Sequence, residues 1–285
     1  YDPARVAKYI RNLGATYEEQ VYAEQELRRT GDFAIPFLVD EFRAARQGDP
    51  LYTGILGAIR HLEGQTIAGW VAALDGLPAD RKADVISAIA ARPDVIRLQA
   101  NAQTDLSPFL WRVLAAPDSG RTTRRLAENL LNTFHPGLKA ETRVPEAELT
   151  ALGRTFYDRT AKFQAIKTNP DGSPSTVPVW VWDAQAEKVK KVEDVPVGQA
   201  EEYYGLRYAR WALEKKPTFE PAQGLILALA AERAVERSNF GDLAKAEPAT
   251  YKLLADAPSP VLNDLLDRAL GQKKTALVLA MVQVL

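Results

Sequence analysis

Cysteine is absent from this 285-residue chain, and histidine occurs only twice, at His61 and His135. Without cysteine the chain can form neither a disulfide nor a thiolate-bound zinc site, and two such distant histidines match no histidine-rich metal motif. We interpret both as side chains near helix C-termini, where an imidazole is favoured. The sequence therefore predicts no metal and no cofactor, and only a carboxylate-based calcium site stays open.

The chain also lacks a strong net charge of either sign and a long apolar run. Its 36 lysines and arginines stand against 37 aspartates and glutamates, which gives a formal net charge of −1. This balance offers no electrostatic attraction for nucleic acid or for an anionic membrane. The longest apolar stretch, residues 276–285, is too short to cross a bilayer. We expect no nucleic-acid partner and no membrane span, and the absence of cysteine fits a cytosolic or an exported protein equally.

Motifs of common catalytic sites are missing as well. The sequence has no Gly-x-Ser-x-Gly elbow and no glycine-rich phosphate loop. Its small basic groups, such as Lys188, Lys190 and Lys191, are typical of solvated surfaces and guarded strand edges. Nothing in the pattern singles out a nucleophile.

What the chain does have is helical periodicity. Apolar residues recur at helical spacing through most of the sequence, and Ser107-Pro108 and Ser259-Pro260 each mark a helix start. A further helix is predicted over residues 145–165. The connections are short and no helix reads as apolar on every side, which favours stacked antiparallel helix pairs over an irregular bundle.

Residues 23–38 give the sharpest copy of the repeated unit. One helix ends at Gly31 and a second, apolar helix restarts within two residues. The order A…L…G…IP.L resembles that of HEAT repeats and is carried by Ala23, Leu27, Gly31, Ile35, Pro36 and Leu38. Degenerate copies extend over residues 4–134 and 273–285. The resemblance implies a helix-pair solenoid and transfers no activity, because HEAT repeats are defined by packing positions.

One segment, residues 167–197, departs from the helical pattern. A turn-rich stretch leads into residues 176–183, where Val177, Val179 and Val181 alternate with other side chains at the period of a strand. Four residues later, Lys188 begins a second short apolar-polar run. The spacing predicts a β-hairpin near residues 176–193 that lies on the neighbouring helices.

After this segment the pattern changes again. Over residues 198–237 an alanine- and leucine-containing helix is followed by Pro217 and by a new helix that starts with alanine. The spacing resembles the junction of a tetratricopeptide repeat, with the matching positions at Tyr208, Ala209, Ala212, Leu213, Pro217 and Ala222. This resemblance also implies packing rather than chemistry.

Aromatic side chains provide the candidate partner-binding residues. Trp180 and Trp182 share one face of the predicted strand, and Tyr204, Tyr208 and Trp211 share one face of the following helix. If these rings are exposed, they form an apolar anchor for a partner; if they are packed, they fasten the hairpin and fill the core.

The sequence thus predicts an all-α antiparallel helix-pair solenoid with a small β-hairpin insertion. The expected segments are HEAT-like repeats over residues 1–137, a long connecting helix over 138–166, the loop and hairpin over 167–197, and tetratricopeptide- or HEAT-like repeats over 198–285. The apolar last helix lacks a polar cap and the chain begins at Tyr1, so we expect a piece of a longer protein.

The predicted function is non-enzymatic binding of a protein or peptide. One alternative is a helical-toroid enzyme that acts on carbohydrates with paired carboxylates and aromatic platforms; Glu201 and Glu202 are its nearest carboxylates, but adjacent helical residues point about 100° apart. A second alternative is a purely structural spacer of a multidomain protein.

Overall fold

The structure, a computed structural model, describes residues 2–62, 66–116, 119–170 and 172–284. These residues are mainly helical and include one two-stranded antiparallel sheet, so the predicted helical class with a hairpin is confirmed. The chain divides into two compact units, and each combines two separate stretches. Unit 1 comprises Tyr1–Ser107 and Lys162–Val195, and unit 2 comprises Pro108–Ala161 and Pro196–Leu285. None of the helices in the described ranges has the length and apolar character that crossing a membrane requires.

The described residues of unit 1 form seven α-helices, one 3-10 turn and the two strands. Their bounds are α1 Pro3–Asn12, α2 Tyr17–Thr30, the 3-10 turn Gly31–Ala34, α3 Ile35–Ala44, α4 Pro50–His61, α5 Thr66–Ala73, α6 Ala79–Ala90, α7 Val95–Leu98, β1 Thr176–Asp183 and β2 Lys188–Pro196.

The first helices begin at recognisable caps. The Asp2 side chain accepts a hydrogen bond from the Ala4 N–H at the start of α1. Thr16 and Glu19 form a reciprocal capping box at the start of α2: Thr16 Oγ1 accepts from the Glu19 N–H, and Glu19 Oε2 accepts from the Thr16 N–H. Each bond satisfies an N–H that the first helical turn leaves without an intrahelical partner.

The helices of unit 1 contact one another in two series. Helix α3 contacts both α1 and α5, while α4 contacts both α2 and α6, and the members of the pairs α1/α2 and α3/α4 also touch. Helix α5 departs from the sequence interpretation, because all eight of its residues are buried. Its alanines and Gly69 leave no polar face, so the helix is enclosed on every side.

The hairpin forms where it was predicted and packs against α5. The turn at residues 184–187 is held by Asp183, whose Oδ1 accepts hydrogen bonds from the N–H groups of Gln185 and Ala186. An antiparallel bridge joins Lys167 to Thr176, the first residue of β1. Val177 to Trp180 are buried because this end of the strand faces the helical core rather than solvent.

In the part of unit 2 that the structure describes, the chain forms nine α-helices and one 3-10 turn. Their bounds are α8 Ser107–Ala115, α9 Arg121–Phe134, the 3-10 turn Ala140–Thr142, α10 Pro145–Tyr157, α11 Val197–Lys215, α12 Glu220–Arg237, α13 Leu243–Ala246, α14 Pro248–Ala255, α15 Ser259–Gly271 and α16 Thr275–Val284.

Helix α12 is the centre of unit 2. It contacts α10, α11, α14, α15 and α16, and its small side chains allow these helices to approach closely. The surrounding core includes Leu225, Leu229, Leu265 and Met281. Helix packing of this kind buries apolar area from every side of one central element.

The predicted long helix over 138–166 is wrong in its extent. Helix α10 ends at Tyr157 because Arg159 adopts a left-handed conformation with φ of 57°. The Arg159 N–H bonds to the Phe156 carbonyl, and the Thr160 N–H bonds to the Thr155 carbonyl. These two bonds form a Schellman motif, which closes the last turn and turns the chain away from the helix axis.

Candidate functional site: an arginine-lined cleft in unit 1

The two tryptophans of the hairpin lie in unit 1 and are packed. Trp180 is only 2% exposed and its ring lies against Gly69 of α5, where an added Cβ would sit 3.3 Å from two ring atoms. Trp182 is half-buried, lies against Gly76, and has the Arg43 guanidinium 5.0 Å from its ring centroid. This burial supports the alternative in which the tryptophans fasten the hairpin to the helices.

The other three candidate aromatics lie in the core of unit 2. Tyr204, Tyr208 and Trp211 are each 5% exposed or less. Tyr204 stacks on Phe156, and Trp211 makes an edge contact with Phe109, with ring centroids 5.5 and 4.9 Å apart. Rings enclosed in this way expose little surface to a partner. The structure describes their role in core packing, and partner binding through them stays a prediction.

The carboxylates of the carbohydrate-enzyme alternative are held in ion pairs. Glu201 Oε2 lies 2.8 Å from Arg233 Nη2 with both side chains buried, and Glu202 Oε2 lies 2.9 Å from Arg237 Nη1. Burial raises the pKa of Glu201 above its usual value, and Arg233 offsets only part of that rise. Each carboxylate is engaged with an arginine, so the pair gives no support to a two-acid mechanism.

A different feature stands out in unit 1, an open cleft of about 580 Å³ in which arginines supply four of the eight lining residues. It lies where the C-terminal ends of α2 and α4 meet the turn that follows α6. Its charged lining consists of four arginines and one aspartate, which gives these five side chains a formal charge of +3: Arg28, Arg60, Arg92, Arg97 and Asp94. His61, Ala91 and Pro93 complete the lining.

Two of the arginines have a structural role at the end of α4. Arg28 Nε donates to the His61 carbonyl at 3.1 Å, and Arg92 Nη1 donates to the Ile59 carbonyl at 2.7 Å. The last four carbonyls of a helix have no intrahelical donor, and cations also stabilise the negative end of the helix dipole. These bonds explain why basic side chains gather at this edge.

Arg92 is further fixed by Asp94. Its buried guanidinium donates from Nε to Asp94 Oδ1 at 2.9 Å and from Nη2 to Oδ2 at 3.2 Å. Burial alone would raise the pKa of Asp94, but the hydrogen bonds and charge of Arg92 outweigh it and hold that pKa below its usual value. Asp94 therefore stays ionised and already has its partner, so Arg92 belongs to the floor of the cleft.

The remaining arginines face solvent. Arg97 is 81% exposed and reaches Asp94 Oδ2 only at 3.3 Å. Arg60 is exposed and makes no hydrogen bond or ion pair within the part of the chain that the structure describes. Arg60 and Arg97 therefore present guanidinium groups with donors available for an anion, and Arg28, which is also exposed, lies beside them in the lining.

His61 lies at the rim of the cleft, and its predicted place at a helix end is confirmed. It is the last residue of α4, and its Nδ1 lies 2.8 Å from Glu24 Oε2 of α2. His135 likewise directly follows the last residue of α9. No group of three or more potential metal-binding side chains occurs in the described ranges.

The sequence interpretation did not identify this cleft. Arg28, Arg60 and Arg92 are spread along the chain and never form a basic run, which is the usual signal of a charged site. Their numbers nevertheless carry a pattern, since 28, 60 and 92 are separated by equal steps of 32. An arginine that returns once per helix pair is the signal that could have found it.

Comparisons with protein-family models, with curated proteins and with solved structures find no match for this chain.

Proposed function

We propose that this chain is a non-enzymatic scaffold that binds an acidic segment of a protein or peptide partner in the arginine-lined cleft. The observation that carries the proposal is the concentration of exposed guanidinium groups in a chain whose overall charge is near zero. A charged concavity of one sign attracts ligands of the opposite sign, and it does so without a net charge on the whole molecule.

The proposed scaffold is a helix-pair repeat. Two observations support this architecture in unit 1. The odd-numbered helices α1, α3 and α5 contact one another in sequence, and so do the even-numbered helices α2, α4 and α6. Arginines also recur every 32 residues, near the ends of α2, α4 and α6. In such an array, equivalent positions of successive pairs lie side by side. The HEAT-like pattern of residues 23–38 agrees with this arrangement.

The chemistry of the cleft favours carboxylates as ligands. A guanidinium presents paired N–H donors that match the two oxygens of a carboxylate, and charge-assisted bonds of this type are stronger than neutral ones. Arg60 and Arg97 are the most available donors, because Arg92 is committed to Asp94 and to the end of α4. Solvent exposure limits each contact to about 1 kcal/mol, so the affinity must come from several contacts together.

The test is binding of a fluorescein-labelled peptide in which six consecutive glutamates are flanked by glycine and serine. Fluorescence anisotropy with the full chain measures the Kd at low and at physiological ionic strength. We expect binding that weakens as salt is added, because the contacts are exposed charge pairs. The double variant R60Q/R97Q should weaken it by about tenfold, which corresponds to about 1.4 kcal/mol.

A matched control separates the cleft from general charge effects. R121Q/R125Q also removes two positive charges, from exposed arginines of α9 in unit 2, and should leave the Kd unchanged. Equal weakening by R121Q/R125Q and by R60Q/R97Q would show that binding is non-specific. Absence of binding to the intact protein at low salt would refute the proposal and favour the structural-spacer alternative.

A further inference from the structure

Helix α2 carries two exposed apolar side chains on the face that leads into the cleft. Tyr17 is 77% exposed and Val21 is 37% exposed. At 3.6 residues per turn, Tyr17, Val21 and Arg28 fall within about 40° of one another around the helix axis. The buried face of α2, formed by Ala23, Leu27 and Thr30, lies on a different side. We call Tyr17 and Val21 the apolar strip; it lies on the same face of α2 as Arg28, which lines the cleft.

The spacing along α2 sets a length scale. With a rise of 1.5 Å per residue, Val21 lies about 10 Å and Tyr17 about 16 Å from Arg28 along the helix axis. An extended peptide advances about 3.3 Å per residue. In a ligand that lies along α2, a side chain on the apolar strip and one that reaches Arg28 are therefore about three to five positions apart in sequence.

Glu24 lies between the strip and the cleft on the same face. Its carboxylate is held 2.8 Å from His61 Nδ1, and Gln20 Nε2 donates to it at 3.4 Å. An acidic side chain of a ligand next to Glu24 would be repelled, whereas beyond Glu24 it would meet Arg28, Arg60 and Arg97. The arrangement of charges thus favours a ligand with neutral residues where it crosses the middle of α2 and with acidic residues where it reaches the C-terminal end of α2.

We propose that the partner segment is a bipartite peptide, with one large apolar side chain that packs on the apolar strip and an acidic cluster about three to five residues away that binds in the cleft. This inference rests on the proposed function and specifies its ligand. Charge complementarity fixes the acidic end, and the exposed Tyr17 and Val21 fix the apolar end. Tyrosine and arginine are among the residue types that contribute most of the binding energy at protein interfaces, and this surface presents both.

The experiment compares labelled peptides that differ only in the apolar residue. The reference is the six-glutamate peptide, and the test peptides add one leucine separated from the glutamates by four neutral residues, on the N-terminal side in one peptide and on the C-terminal side in another. Leucine should tighten the Kd by about tenfold in one of the two orders. A peptide with the leucine directly beside the glutamates should gain less, because the glutamates next to the leucine would lie against Glu24 and be repelled.

Variants of the protein locate the gain. Y17S/V21S should abolish the advantage of leucine and leave the Kd of the six-glutamate peptide unchanged. V144S removes a 54% exposed valine from unit 2 and should preserve the advantage. Circular dichroism of Y17S/V21S should match the wild type, since both side chains are on the surface and the capping box of Thr16 and Glu19 is retained.

The two proposals fail in different ways. If the six-glutamate peptide binds through Arg60 and Arg97 but leucine adds nothing in either order, the bipartite ligand is refuted and the acidic-segment scaffold stands. A leucine advantage that survives Y17S/V21S also refutes the bipartite ligand, because the apolar contact then lies elsewhere. If no glutamate peptide binds the intact protein, both proposals fall.

Discussion

The substitution G54A tests the closest backbone approach in unit 1. Gly54 lies within α4, opposite the residues that follow α1. A Cβ at this position would lie well under 3.0 Å from the Leu13 carbonyl oxygen, 2.7 Å from its carbonyl carbon and 3.1 Å from its Cβ. The obstacle is main chain and cannot move aside by changing a rotamer. Gly14 makes the reciprocal approach, since its added Cβ would lie 2.7 Å from the Leu51 nitrogen.

Two opposing effects set the magnitude. Alanine in a helix interior is favoured over glycine by about 1 kcal/mol, because glycine loses more backbone freedom on folding. Overpacking against a backbone that must shift costs about 3 kcal/mol. The clash exceeds the propensity gain, so G54A should lower the free energy of unfolding by about 2 kcal/mol.

The same helix offers a matched control in G57A. The nearest atoms to an added Cβ at Gly57 are Gln20 Nε2 at 3.8 Å and Glu24 Oε1 at 3.9 Å, which are ordinary van der Waals distances. With the clash absent, only the propensity term remains, and G57A should raise the free energy of unfolding by about 0.5–1 kcal/mol.

Urea unfolding followed by far-ultraviolet circular dichroism measures both variants against the wild type. Identical substitutions three residues apart in α4 should shift the midpoint in opposite directions. If G54A is as stable as the wild type, or if both variants shift the midpoint the same way, the backbone contact between α4 and Leu13 does not exist as described.

Three further predictions concern other parts of the chain. K273G should raise the free energy of unfolding by about 1 kcal/mol in thermal or urea melts, because Lys273 has a φ of 57° after α15, a conformation that costs a side-chain-bearing residue more than glycine. E201Q removes the buried ionic partner of Arg233 and should lower the free energy of unfolding by about 2 kcal/mol. E202Q breaks a partly exposed pair with Arg237 and should lower it by less than about 1 kcal/mol in the same melts. D94N should lower the free energy of unfolding at pH 7, and this loss should shrink as the pH falls. The pKa of Asp94 is lower in the folded protein than in the unfolded chain, where it is about 3.9, so the stabilisation by its carboxylate is present above that value and is lost as the pH drops through the folded pKa. An equal loss of stability at pH 7 and at pH 2 would contradict this prediction.

Much of the helical pattern could be predicted because its signals are local. The hairpin was placed correctly since valine alternation and a four-residue turn lie within one short segment. Helix ends were harder to predict where a left-handed residue other than glycine closes the helix. Arg159, Asn239 and Lys273 all occupy such positions, and an arginine or a lysine there gives no stop signal in the sequence.

The candidate site and the division into units depend on long-range packing. Nothing local in residues 162–195 indicates that they join the first 107 residues, because that choice is made by the fit of Trp180 against Gly69 and of Trp182 against Gly76. Trp180 and Trp182, two of the five aromatic residues that looked available for a partner, make this fit. The arginines of the cleft are far apart in sequence and come together only when the ends of successive helices pack side by side. A search for runs of charged residues therefore does not find this site.

The interleaved order of the two units has a consequence for synthesis on the ribosome. Unit 1 lacks its hairpin until residue 195 has emerged, and between residues 107 and 195 the chain also delivers the first stretch of unit 2. At ordinary translation rates this interval lasts on the order of ten seconds. During that time helix α5, whose residues are all buried in the folded protein, has no strand to cover it. The nascent chain therefore passes through a stage that is exposed to aggregation and that favours early engagement of a chaperone, although the finished protein buries the same surface.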